Sequence, residues 1–201
     1  MAVGSPPDAG AIARAVAALR SGAVIGLPTD TVYGLGAHPG VPGAVEEVFR
    51  LKGRPPEVAM PVLVAGADQL EGIVAEVPPS AAALMAAHWP GPLTVVLRRS
   101  PAFRADLGGE PTTVGVRAPD HPVVAALCRA AGPLAVTSAN LHGRPPLPEA
   151  AEVARTFPTV LVLDGGRCEG LPSTVVDCTG PEPVVLRQGE VRLPRGPRRA
   201  P

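Results

Sequence analysis

The sequence predicts an open α/β fold with a ligand site at its strand ends. Two observations carry this. Short apolar runs at 23–27, 61–64, 93–98, 112–117 and 133–136, bounded by glycine and proline, alternate with stretches of helical periodicity. Two of the runs break into small polar loops, Pro28-Thr29-Asp30-Thr31 and Thr137-Ser138-Ala139-Asn140. Open α/β sheets bind ligands outside the carboxyl ends of their strands, where such loops fall. An ordinary β-turn explains either loop alone; their recurrence points to a site.

The elements follow in order. Asp8 can cap a helix running to about Arg20, with Ile12, Val16 and Leu19 on one face. Gly22 ends it. A strand over 23–27 leads into the loop 27–36, closed by Gly34 and Gly36. Pro42 can start a helix over 43–51 with Val45, Val48 and Phe49 inward. In the following Leu51-Lys52-Gly53-Arg54-Pro55-Pro56, read as extended, Lys52 and Arg54 face the same way. Such a pair suits a polyphosphate and equally a solvated helix end. A strand at 61–64, helices over 67–75 and 79–88, and a Pro90-Gly91-Pro92 turn lead to the strand 93–98. Trp89 is read as packing and His88 as a structural or surface residue.

After a polar loop at 100–111, the strand 112–117 ends on Arg117, placed to clamp a carboxylate or a phosphate. Asp120 is expected to cap a helix over 121–131 with Val124, Leu127 and Cys128 inward. The strand 133–136 opens into the second polar loop, where Ser138 and Asn140 can donate to phosphate oxygens or a base edge. A helix over 148–155 and strands over 159–163, 171–177 and 184–190 complete the domain, taken as 1–191. The Arg/Pro-rich tail 192–201 is expected to be disordered; it could touch tRNA, and more simply is a solvated tail.

Composition narrows the function. Hydrophobic residues make up 46% and aromatics 2%, so the core is built of alanine, valine and leucine. Basic and acidic residues balance at 18 each, against a general nucleic-acid coat but not against a local basic pocket. Cys128, Cys168 and Cys178 form no C-x-x-C pair, which fits a reduced, cytoplasmic protein with neither zinc site nor disulfide framework. No segment is apolar for long enough to cross a membrane. Ser138 lacks the Gly-x-Ser-x-Gly surround of a hydrolase nucleophile. No His/Glu spacing indicates a metal, and no carboxylate pair is evident. Cations at Lys52, Arg54, Arg117 and Arg187 therefore suggest catalysis by charge and positioning, the demand of phosphoryl or nucleotidyl transfer.

Seven ordered pieces then resemble a known family: PTDTVYGLG at 28–36, KGRP at 52–55, HWPGPLT at 88–94, VGVRAPDHP at 114–122, TSANLHGRPP at 137–146, PSTVVD at 172–177 and VLRQGEV at 185–191. Together they are similar to the YrdC/Sua5 family of L-threonylcarbamoyladenylate synthases, in its short, single-domain form. The resemblance implies a twisted mixed α/β sheet with flanking helices around a large basic concave cavity. It implies a reaction of L-threonine, bicarbonate and ATP, with Mg²⁺, to threonylcarbamoyl-AMP and pyrophosphate. The product would pass to downstream tRNA threonylcarbamoyl transferase proteins that modify adenosine 37 of tRNA. By the same resemblance Thr31, Arg117, Val136 and Ser173 would hold threonine, Val136 through its backbone. Lys52, Arg54, Thr113, Ser138, Asn140 and Arg187 would hold ATP, with Lys52 and Arg54 on the triphosphate. Met60, Ala65 and Pro146 depart from residues found in some relatives. Two other functions compete: an RNA-binding module without chemistry, and a YrdC-like paralogue acting on another carbamoyl acceptor. Poverty in aromatics disfavours the first.

Overall fold

The computed structural model describes residues 8–194. Helix α1 (Ala9–Arg20) starts on Asp8, whose carboxylate accepts from the N–H groups of Gly10 and Ala11, and Gly22 turns the chain with φ +88°. Strands β1 (Ile25–Leu27) and β2 (Gly34–Ala37) pair antiparallel across the loop 28–33. Helix α2 (Ala44–Lys52) and strand β3 (Val62–Leu63) follow, then a 3-10 turn (Ala67–Leu70) and α3 (Pro79–His88). The rest is β4 (Leu93–Arg98), β5 (Thr113–Arg117), α4 (Pro122–Ala131), β6 (Leu134–Ser138), α5 (Ala150–Thr156), β7 (Leu161–Val162), β8 (Thr174–Asp177) and β9 (Val184–Arg187). The nine strands form one mixed sheet in the order β7-β1-β2-β6-β3-β5-β4-β8-β9.

Side chains alternate across a strand, so each face of the sheet collects every second residue. One face, carrying Leu35, Val62, Leu93, Val95, Leu97, Val114, Val116 and Ala135, is buried in the larger apolar cluster with residues of α2 and α3. The other face is covered only in part. Leu27, Leu63, Leu134 and Val136 meet Val16 and Leu19 of α1 and Val124 and Leu127 of α4. Beyond that cover the same face carries Thr94, Val96, Thr113, Gly115, Arg117, Ser138 and Val175, which line a cavity. The helices thus leave part of one sheet face open.

The sequence reading needs four corrections here. Gly34-Leu35-Gly36-Ala37 is a strand, not the end of a loop. A Cβ at Gly34 would stand 2.6 Å from Val136 Cγ1, and one at Gly36 2.7 Å from Leu27 Cδ2. Close packing against the neighbouring strands therefore favours glycine, although glycine weakens strands by propensity. The helix expected over 67–75 is one 3-10 turn; Gly72, with φ +76°, breaks any continuation. Asp120 does not cap α4, because His121 Nδ1 accepts from Val123 N at 3.3 Å. Strand β6 runs two residues further than expected, so Thr137 and Ser138 are strand residues. Val191 and Leu193 still pack on the core. From residue 195 the tail expected to be disordered lies outside the described residues.

All three cysteines are free and buried. Burial pushes the Cys128 thiol up to about 12 and Cys178 up to about 11, and it raises Cys168 as well. Reactive thiolate is therefore scarce at pH 8. Native protein is expected to release less than about one equivalent of chromophore from Ellman's reagent within minutes. The full complement of three thiols should react after unfolding. Rapid native labelling of two or more thiols would contradict this packing.

Candidate active site

The cavity is about 500 Å³ and lies over the open part of the sheet face, lined along β4, β5, β6 and β8 and by the loop after β1, rather than only beyond strand ends as the sequence suggested. Eight of the ten predicted site residues line it: Thr31, Arg54, Thr113, Arg117, Val136, Ser138, Ser173 and Arg187. Lys52 and Asn140 stand behind its wall.

The loop 28–33 is made rigid by Thr29. Its hydroxyl donates to Val32 O at 2.6 Å and accepts from the N–H groups of Thr31 and Val32, each at 3.1 Å. Thr31 Oγ1 lies 3.0 Å from Thr29 Oγ1 and accepts from Arg117 Nη1 at 3.1 Å. Arg117 also donates through Nε to Gly91 O at 3.1 Å and through Nη2 to Asp30 Oδ1. Burial lowers its pKa, and the Asp30 charge opposes that. Arginine has five N–H bonds, so two remain for a ligand. Asp30, to which the sequence reading gave no role, is thus the arginine's counter-ion. Its other oxygen, Oδ2, is buried with no hydrogen-bond partner among the described residues. Its position between two threonines of the first polar loop was the available signal.

A second segment straps this loop down. Tyr33, fully buried, donates its hydroxyl to Gly166 O at 2.7 Å and accepts from Gly165 N. Gly170 N donates to Thr31 O at 2.8 Å. The lone tyrosine is therefore an anchor for the cavity wall.

Lys52 and Arg54 do not sit side by side as an extended segment would place them. Helix α2 runs through Lys52, and Gly53 turns with φ +61°. Lys52 points inward, 2% exposed, and Nζ reaches Ser138 O (2.6 Å), Asn140 Oδ1 (2.6 Å), Asn140 O (2.9 Å) and Ser138 Oγ (3.3 Å). Burial, then the charge of Arg54, lowers its pKa to about 8. Asn140 is equally committed, its amide donating to Leu141 O and Arg144 O. These two residues hold the end of β6, where Ser138 lies. Arg54 fits the reading better. It faces the cavity while Nε and Nη2 donate to Val58 O and Ala59 O, and burial lowers its pKa.

Val136 can offer a backbone acceptor, for a reason legible in its partner. The β3/β6 register places Val136 opposite Pro61, and Val136 N donates to Pro61 O at 3.0 Å. A hydrogen-bonded antiparallel pair exchanges two bonds, but proline has no N–H to return. The Val136 carbonyl lacks that donor, on residues that both line the cavity.

Arg187 reaches Ser173 O through Nε (3.1 Å) and Nη2 (2.9 Å), and Ser173 Oγ through Nη2 (3.1 Å). Partial desolvation, then the charge of Arg117, lowers its pKa. Two guanidinium groups close enough to disfavour each other's charge, with Arg54 in the same wall, favour an anion. Among the departures, Met60 and Pro146 line the cavity and Ala65 does not. No group of three or more potential metal ligands occurs among the described residues.

A protein built this way holds small anionic substrates by charge and position. The chain belongs to the Sua5/YciO/YrdC family, whose model, described as "Telomere recombination", matches residues 17–189. A putative threonylcarbamoyl-AMP synthase of Mycobacterium tuberculosis is 42% identical, covering 92% of this chain and 86% of that protein. The threonylcarbamoyl-AMP synthase of Bacillus subtilis is 41% identical over 90% of this chain and 54% of its own length. The crystal structure of Pyrococcus abyssi Sua5 complexed with L-threonine superimposes with a TM-score of 0.84 and 38% identity, covering 89% of this chain and 54% of that one.

Proposed function

We propose that the chain is an L-threonylcarbamoyladenylate synthase with ATP and L-threonine as substrates. The observation that carries this is the convergence of Arg54, Arg117 and Arg187 on one cavity that also presents hydroxyls and a backbone carbonyl without its ladder donor. The synthase names of relatives at about 40% identity and the threonine complex of the Pyrococcus protein support it.

The chemistry assigns tasks to the residues. The threonine carboxylate is held by the remaining N–H bonds of Arg117, and its amino group faces the Val136 carbonyl and the Thr31 loop. The amine must lose its proton to attack CO₂ derived from bicarbonate, giving a carbamate that a water-poor cavity protects. A carbamate oxygen then attacks the α-phosphorus of ATP; the P–O bond to the leaving group breaks and pyrophosphate departs. Arg54 and Arg187 stabilise the charge spread over the phosphates. Among the described residues no group of three or more potential ligands stands ready to hold Mg²⁺. In this reading Mg²⁺ arrives with the phosphates of ATP, and no step is routed through a protein-held metal. Transfer of the product to tRNA-modifying proteins, any contact of the tail with tRNA, and a cytoplasmic location belong to the same proposal; no described helix is long and apolar enough to cross a membrane.

The test is pyrophosphate release from MgATP and bicarbonate with and without L-threonine. Release should require both threonine and bicarbonate, and Arg54→Ala should lower kcat/KM by about a hundredfold to a thousandfold. Folded protein with no threonine-dependent release would exclude the synthase. The paralogue reading, favoured by Met60 and Pro146 in the cavity wall, would gain if another amine supported release.

A further inference from the structure

We infer that Thr94 is a positioning residue that holds the Ser173 hydroxyl in place, the two hydroxyls together offering one proton to an oxygen of the amino-acid substrate. This rests on the synthase reading and adds a residue to which that reading assigns nothing.

Strand β4 lies between β5 and β8, and Thr94 pairs with Val175 of β8. On its β5 side stands Gly115, where a Cβ would come within 3.3 Å of Thr94 Cγ2. The methyl of Thr94 therefore faces Gly115. Its hydroxyl faces the other neighbour, with Thr94 Oγ1 2.9 Å from Ser173 Oγ. Thr94 is 4% exposed and Ser173 6%, and both line the cavity. The turn before β4 fixes this geometry: Trp89 Nε1 donates to Leu93 O at 2.8 Å, and Thr174 N donates to Pro92 O at 2.9 Å. The tryptophan-containing motif thus acts on the site through Thr94.

Hydroxyl bookkeeping sets what the pair offers. Ser173 Oγ already accepts from Arg187 Nη2 at 3.1 Å. If Thr94 donates as well, both lone pairs of Ser173 Oγ are filled, and its one proton must go outward. Ser173 has no other acceptor among the described residues, so that proton is directed at the occupant of the cavity. In the reverse arrangement the Thr94 proton is the one left over, from a residue that also lines the cavity, so in either case the pair offers one hydroxyl proton to the occupant. The guanidinium at 3.1 Å repels an ammonium and favours donation to an anion. The Thr94–Ser173 pair therefore meets a carboxylate or hydroxyl oxygen of threonine, not its amino group.

The test compares wild type, Thr94→Val and Thr94→Ser in threonine-dependent pyrophosphate release. Valine keeps the volume and removes the hydroxyl; serine keeps the hydroxyl and removes the methyl. Thr94→Val should raise the KM for threonine about tenfold, as expected for one hydrogen bond to a charged group, with kcat and the KM for ATP within about twofold. Thr94→Ser should stay near wild type. An unchanged Thr94→Val, equal damage in both variants, or a loss confined to kcat or to ATP would overturn the inference. A folded wild type without threonine-dependent release would instead overturn the synthase reading.

Discussion

Replacing Arg117 by alanine is expected to destabilise the fold by about 3–5 kcal/mol, the range for breaking one side of a buried ion pair. The side chains of Arg117 and Asp30 are 7% and 13% exposed. Asp30 already has one buried oxygen without a partner, so the substitution would strip the carboxylate of its only hydrogen bond among the described residues. At roughly 2–4 °C per kcal/mol for a chain of this size, the melting temperature should fall by about 6–20 °C. Activity should fall further than stability alone explains, by about a thousandfold in kcat/KM for threonine, because the carboxylate clamp is gone. Arg117→Lys should recover little. One ammonium cannot span Gly91 O, Thr31 Oγ1 and Asp30 at once. The discriminating measurement is urea unfolding of Arg117→Ala, Asp30→Ala and the double variant. The double variant should be less destabilised than the two single changes added together. Additive losses, or a loss below about 0.5 kcal/mol for Arg117→Ala, would mean that the pair does not hold this end of the cavity.

The sequence displayed the cavity's chemistry better than its framework. Arg117 at the end of an alternating strand, with Thr113 four residues earlier, could be read at once, because period-two alternation puts both on one face. Strand β2 could not be read. Its glycines mimic a loop, and only the approach of Val136 and Leu27 shows why they are in a sheet. Lys52 and Arg54 were legible as cations but not in direction, since a single left-handed glycine between them sends one inward and leaves the other in the wall. Asp30, Tyr33 and Thr94 act through residues 87, 133 and 79 positions away in sequence. Such long-range partners leave no periodic trace. The same holds for the open part of the sheet face, which exists because α1 and α4 cover only its other part.

The position of Lys52 makes its replacement the sharpest separation between a phosphate ligand and a strut. Its ammonium has three protons and four oxygens within 3.3 Å, all from Ser138 and Asn140. Lys52→Met keeps the length and the apolar stem and removes every donor. Two carbonyls and the Asn140 amide oxygen would lose this partner, at about 1–3 kcal/mol for each buried acceptor left unsatisfied. A loss of about 3 kcal/mol, or about 6–12 °C in melting temperature, is expected. A fall of about a hundredfold in kcat/KM should follow from a misplaced Ser138 at the end of β6. The difference from wild type should depend on pH in a definite sense. The folded pKa of Lys52, about 8, lies below the ordinary value of 10.5. Burial of its charge therefore costs wild type most at low pH, and that cost disappears as pH rises from about 8 to about 10.5. The stability gap between wild type and Lys52→Met should widen over that window. A lysine that only holds ATP phosphates would give the opposite pattern: activity lost, melting temperature unchanged, and no pH-dependent gap in the ligand-free protein. Thermal melts of the two proteins at pH 7 and pH 10 decide between them.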